Sequence, residues 1–259
     1  NVLAVNIEEN ANRAPVNYVL PPGIERVQAL SNNNVNIQMN EQAMSMQVCN
    51  LAANEGRGVF KTMNLDLRQY GELRMFIHTE GVIGSPTLND NDLSAVIRIG
   101  NDFVGNYYEV RIPLKVTPAG RYTDATADVV WPTQNELALD IQRLIKLKLS
   151  RNASGQPNLY YKEVDADGKT YAIFGNPNLG EVRGMFLGIH NNSGGSVCSE
   201  TWFNELRLSK IDEKGGWAAT GRVDIKMADL GTVSLAGAYR SVGFGNLDQR
   251  VNERSRENF

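Results

Sequence analysis

The chain has 259 residues, 42% of them hydrophobic and 21% charged, with a net charge of −3. That length supports one large domain or two smaller ones, and the composition excludes wholesale disorder. The charge leaves no general nucleic-acid footprint, and no apolar run reaches the roughly 18 residues of a transmembrane helix.

The first ten residues, "NVLAVNIEEN", lack the basic and apolar regions of a signal peptide. With "NERSRENF" at the other end, the chain reads as a piece excised from something longer. Residues 1–40 contain "RAPVNYVLPPGIERV" and "SNNNVNIQMN". Pro15, Pro21 and Pro22 forbid a regular helix and favour extended backbone, and the Asn cluster adds turn chemistry. An extended arm is expected there.

From 41 to 210 strands follow closely. In "AMSMQVCNL", Met44, Met46 and Val48 alternate with Ser45 and Gln47; in "GELRMFIHTE", Leu73, Met75 and Ile77 alternate with Arg74, Phe76 and His78. "LSAVIRIG" and "NYYEVRIPL" flank a hairpin loop, "NDFVG". "LYYKEV" and "KTYAIF" flank "DADG", where Gly168 supplies the positive φ of a tight turn. "EVRGMFLGIHN" and "TWFNELRLS" complete the set. In "NELALDIQRLIKLKL" the apolar period is two through Leu137, Leu139 and Ile141, then three and four through Leu144, Ile145 and Leu149. A strand running into a short helix near Ile141 accounts for the switch. A single helix capped at "TQNE" is the alternative. The expected fold is all-β: a jelly-roll-like antiparallel β-sandwich with one short helix over 41–210. Its last strand, around Thr201–Leu208, is expected beside its first, around Met44–Leu51.

Residues 211–259 form a further unit, a charged and Gly-rich hinge ("KIDEKGG") leading to an amphipathic β-hairpin. In "GRVDIKMADLGTVSLAGAYR", Val223, Ile225, Met227, Val233, Leu235 and Tyr239 fall on one face, with Trp217 ahead of them. Thr220, Arg222, Asp224, Lys226, Thr232, Ser234 and Arg240 fall on the other. Strands Trp217–Met227 and Thr232–Val242 are expected, with Met227 opposite Val233 and Gly221 opposite Tyr239.

Residues that carry chemistry are sparse. His78 and His190 have no Ser, Cys or carboxylate constellation beside them, and no nucleophile-elbow, phosphate-loop, dinucleotide or zinc-protease motif is present. "NDND" (89–92) and "DADG" lack the ligand series of a calcium loop. Arg143, Lys146, Lys148 and Arg151 read as the wet side of an amphipathic element. No catalytic, cofactor-binding or metal-binding residue is assigned, and an enzyme is not expected. Trp131, Tyr160, Tyr161 and Trp202 support an alternative, a glycan-binding sandwich of a cell-surface protein. Cys49 and Cys198 lack metal-type spacing; they form one bridge in an oxidising compartment or stay two buried thiols.

Several blocks in order, "NRAPVNYVLPPGIERV", "LRMFIHTEG", "NYYEVRIPL", "GEVRGMFLGIHN", "TWFNELRLS" and "GWAATGRVDIKMADLGTVSLAGAYRSVGFGNLDQRVNERSREN", resemble the SprA/Sov family. That family is the outer-membrane translocon of the type IX secretion system, also associated with gliding motility. The resemblance covers nearly the whole chain. It implies an internal, non-catalytic fragment of a giant transmembrane β-barrel that exports folded cargo, and it implies no cofactor. Its implied partners are other secretion-system components, secreted cargo and outer-membrane lipid, with no nucleic acid. In such a barrel Trp217, Val223, Ile225, Met227, Val233, Leu235 and Tyr239 would face lipid, and Arg222, Asp224, Lys226, Ser234 and Arg240 the lumen. The short "ADLGT" connection would be periplasmic and the sandwich extracellular, with a periplasmic sandwich as the alternative.

Overall fold

A computed structural model describes residues 1–30, 36–211, 216–241 and 244. The fold is all-β and antiparallel. β1 (Val2–Asn6), β4 (Gln42–Leu51), β6 (Tyr70–Gly81), β9 (Leu137–Asp140) and β13 (Val197–Ile211) form one sheet, in the order β1-β4-β13-β6-β9. β5 (Gly56–Leu65), β7 (Leu93–Gly100), β8 (Tyr107–Pro113), β10 (Tyr161–Val164), β11 (Thr170–Phe174) and β12 (Val182–Asn191) form the other, in the order β10-β11-β8-β7-β12-β5. Without β1 and the β10–β11 hairpin, the first sheet has the first strand beside the last, then the third, then the sixth. The second has the second beside the seventh, then the fourth, then the fifth. That is the connectivity of a jelly roll.

Trp202 pairs with Ser45 and Phe203 with Met44, so the last strand lies beside the first as expected. Inward side chains of both sheets make one core, with Met46, Leu73, Met75, Ile77 and Phe203 meeting Ile97, Val110, Ile112 and Ile189. The period switch at Ile141 also holds: β9 ends at Asp140, whose side chain accepts the Gln142 N–H at 2.9 Å and starts α3 (Ile141–Ala153). The alternative helix start at "TQNE" is a single 3-10 turn, Thr133–Asn135. One position on the expected helical stripe is corrected. Leu147 is buried and Leu149 is 64% exposed, because α3 turns Ile141, Leu144 and Leu147 onto the sandwich.

A second core lies on the outer face of the five-stranded sheet. Phe76 and Trp202, which alternate with inward residues, are buried beneath Val16, Tyr18 and Val19 of the arm and Val130 and Trp131 of the β8–β9 connection. Both faces of this sheet are therefore dry, and large side chains occur at consecutive positions of β6 and β13. The described residues of this N-terminal segment are built into the sandwich. β1 pairs with β4 from Val2↔Met46 to Asn6↔Gln42, and the single turn α1 (Ile7–Asn10) leads to the strap 11–24. Val16 bridges Gly120, Asn17 exchanges hydrogen bonds with the Tyr122 backbone, and Trp131 Nε1 donates to Val19 O at 2.9 Å. The Tyr18 hydroxyl donates to Glu41, and burial first, then that carboxylate, pushes the phenol far above its usual range. β2 (Gln28–Leu30) and β3 (Asn36–Gln38) form a small ribbon between strap and sandwich.

Arg13 pins the strap. Its Nη1 lies 2.6 Å from Glu80 Oε1 as an ion pair without hydrogen-bond geometry, and donates to Val16 O at 2.9 Å. Its Nη2 donates to Glu200 Oε2 at 2.6 Å. Ser45 Oγ and Trp202 Nε1 both donate to the other Glu200 oxygen. Removing one partner of a buried ion pair costs about 3–5 kcal/mol, because the remaining charge stays dry. Arg13→Met is therefore expected to lower the stability measured by urea unfolding by about that amount. Adding Glu80→Gln to Arg13→Met is expected to recover part of the loss.

Candidate functional surface

Most polar groups inside the sandwich are occupied by structure; Ser199 Oγ and Glu80 Oε1 are the buried side-chain atoms without a hydrogen bond among the described residues. His78 is fully buried: Nδ1 lies 3.0 Å from both Val130 O and Thr117 Oγ1, and the ring sits 4.0 Å from the Trp202 ring. His190 meets Asn192 Oδ1 at the surface. In the "NDND" turn Asp90 accepts the Val116 N–H and Asp92 the Asn89 N–H, both at 2.8 Å. In "DADG", Asp165 caps the Asp167 and Lys169 N–H groups. Asp102 organises the β7–β8 loop; the Asn106 amide, then the Gly105 N–H, hold its carboxyl well below the usual range. Among the described residues, no group of three or more His, Cys, Asp or Glu is placed to hold a metal ion.

Three of the four cations of α3 are engaged as well, and Lys146 is exposed. Arg143 lies 3.7 Å over the Tyr171 ring, Lys148 Nζ donates to Pro177 O and Arg151 is buried against Gly175 O. Of the aromatics considered for sugar stacking, Trp131 and Trp202 are interior and unavailable; Tyr160 is exposed and Tyr161 half-buried. Cys49 and Cys198 meet where β4 carries an extra residue against β13, with Asn50 at φ +54°. Their Cα atoms are 3.9 Å apart and the sulfurs are bonded.

The surface without cover is the hairpin. β14 (Ala218–Met227) and β15 (Gly231–Arg240) pair over ten positions, joined by a 3-10 turn at Ala228–Leu230. Every residue of both strands is exposed. One face carries Val223, Ile225, Met227, Val233, Leu235 and Tyr239, with Trp217 stacked 4.8 Å from Tyr239 at the open end. Val223 is 55% exposed and Leu235 62%, so the sandwich shields neither. The opposite face carries Arg222, Asp224, Lys226, Ser234 and Arg240. There Arg222 and Ser234 both bond the Asp224 carboxylate.

The faces are as the sequence indicates, and the register is corrected by two residues. Met227 opposes Gly231, Ile225 opposes Val233, and Gly221 opposes Gly237 rather than Tyr239. The turn spends Ala228–Leu230 on a helical turn and returns at Gly231, φ +142°, so β15 begins earlier than the polarity pattern suggests. A shift of two preserves every side chain's face, whereas a shift of one would invert them all. Tyr239 consequently lies beside Trp217 and leaves the glycine pair uncovered. Val242 of the expected second strand and hinge positions 212–215 lie outside the described residues.

A jelly-roll sandwich that carries an uncovered, two-faced β-hairpin is the class of module that this fold and surface define. The chain belongs to the SprA_N family, described as motility related/secretion protein, whose model matches residues 1–259. Membership associates the chain with motility and secretion, and so with the cell envelope; it is not a known enzyme family. No curated protein matches the chain.

Proposed function

We propose that this chain is a non-catalytic structural module of an outer-membrane β-barrel translocon, the type IX secretion and gliding-motility assembly that exports folded cargo. The hairpin supplies two barrel strands. The observation that carries this reading is the apolar face of β14 and β15: it is exposed along its length, while the opposite face holds an ionic network. Ten-residue strands match the roughly 9–11 residues with which tilted strands cross a bilayer. Trp217 and Tyr239 at one end suit an interfacial aromatic girdle. In this reading Trp217, Val223, Ile225, Met227, Val233, Leu235 and Tyr239 meet lipid, and Arg222, Asp224, Lys226, Ser234 and Arg240 line the aqueous conduit. Secreted cargo and other secretion-system components are the protein partners.

The turn after Met227 is short, and short turns lie on the periplasmic side of outer-membrane barrels. β14 then enters from outside at Trp217, which puts the preceding sandwich on the extracellular side. In the full-length protein Val223→Arg is expected to reduce assembled barrel in outer-membrane fractions, since Val223 is mid-strand and a cation on the lipid face costs about 2–4 kcal/mol near the midplane. Ser234→Arg, on the opposite face, should assemble normally. Equal effects from the two would contradict the reading.

Sidedness has its own measurement. A cysteine placed at Asn89, in the exposed "NDND" turn, should react with a membrane-impermeant reagent on intact cells. Reaction only after the outer membrane is opened would put the sandwich in the periplasm.

A further inference from the structure

The two sheets are closed on one flank and open on the other. On one side α3 packs against β6, β9, β10 and β11 and seals the gap. On the other, β1 adds a strand to the first sheet beyond β4, while the second sheet stops at β5. Among the described residues no strand is paired to the outer edge of this ten-residue strand. A cleft of about 440 Å³ runs between them, lined by Val2, Met46 and Val48 on one wall and by Arg57, Gly58 and Val59 on the other. Its apolar walls are incompletely covered: Val2 is 47% exposed and Val59 is half-buried; farther along β5, Met63 and Leu65 are half-buried against the core.

Register fixes which β5 side chains lie on the cleft's side of the sheet. Arg57 opposes Ile189, Val59 opposes Leu187 and Lys61 opposes Met185, and Ile189 and Met185 are core residues. Arg57 and Lys61 therefore share the inward face with Val59. Arg57 pairs with Glu55 at 3.0 Å, and Lys61 makes no ion pair among the described residues. Inward-pointing charges on an edge strand discourage indiscriminate strand addition. They also select against a second copy, because two β5 strands side by side would set cations against cations.

We infer that this open flank is a docking slot for one β-strand of a different polypeptide, laid antiparallel along β5. Its inward face would be acidic opposite Arg57 and Lys61 and apolar opposite Val59, Met63 and Leu65. Unpaired ladder groups give such an added strand its backbone hydrogen bonds, and side chains at alternate positions give it specificity. The Cys49–Cys198 bridge fastens β4 to β13 at the rim of the same cleft, so that wall is fixed before a strand arrives. The slot is on the sandwich and does not depend on what covers the hairpin.

The test uses the whole chain and three synthetic nonapeptides: VTVTETVTE, which places glutamates opposite Lys61 and Arg57, its lysine counterpart VTVTKTVTK, and an N-methylated form of the first that cannot bond the β5 edge. By fluorescence anisotropy the acidic peptide is expected to bind at least about tenfold more tightly than the lysine one. The N-methylated form should not bind, and the acidic peptide should slow amide exchange along β5. Both cations are exposed, so the variant Arg57→Glu/Lys61→Glu should keep its fold and prefer VTVTKTVTK. Equal binding of the acidic and lysine peptides, unchanged exchange along β5, or undiminished binding of the N-methylated form would each overturn the slot.

Discussion

Cys49 and Cys198 stand 149 residues apart in sequence and lie on neighbouring strands, because β4 and β13 pair side by side. β13 is the strand on which the rest of the sandwich depends. It lies between β4 and β6, puts Phe203 into the core between the sheets, and puts Trp202 into the second core under the strap. Such long-range pairing incurs loop-closure entropy before its contacts form, which is the usual kinetic burden of a jelly roll. A covalent bond between the same two strands disfavours the open chain further, with the largest ideal effect for long loops.

The same strand explains why the N-terminal segment is not a free tail. Trp202 and Phe76 would leave a broad apolar surface on the outer side of the five-stranded sheet, and Glu80 and Glu200 would lie among them. The strap covers the rings with Val16, Tyr18 and Val19 and answers the carboxylates with Arg13. Burial of each large side chain contributes on the order of 1.5–3 kcal/mol, so the strap's apolar residues outweigh any single surface ion pair. Among the described residues, the flank of the two-sheet core beside β5 stays open.

Much of this was legible in the sequence. Alternation located most strands, and the change of period at Ile141 separated β9 from α3. β5 escaped notice because "GRGVFKTMNL" sets Gly56, Gly58, Arg57 and Lys61 where a buried strand would carry apolar residues; that composition belongs to an edge. The second core also escaped notice. Phe76 and His78 alternate with the inward residues of β6, and nothing local reports that Phe76 lies under a strap more than fifty positions earlier or that His78 lies under the β8–β9 connection. The clamp at Arg13 is invisible for the same reason, since its carboxylates are remote in sequence. Trp131 and Trp202 looked like ligand platforms because composition does not distinguish an exposed aromatic from an interior one. The hairpin's faces followed from its period of two, but its register did not, because that depends on how many residues the turn consumes.

In the proposed barrel the hairpin separates two different solvents. Single spin labels placed in turn at positions 222–227 and 232–235 of the membrane-assembled full-length protein measure this directly, through collision with oxygen, which partitions into lipid, and with a water-soluble nickel chelate. Two out-of-phase patterns of period two are expected. Positions 223, 225, 227, 233 and 235 should be relaxed by oxygen, and positions 222, 224, 226, 232 and 234 by nickel. Uniform exposure to nickel along both strands, or protection from both reagents on the apolar face, would show that face lying in water or against protein, and would contradict the account.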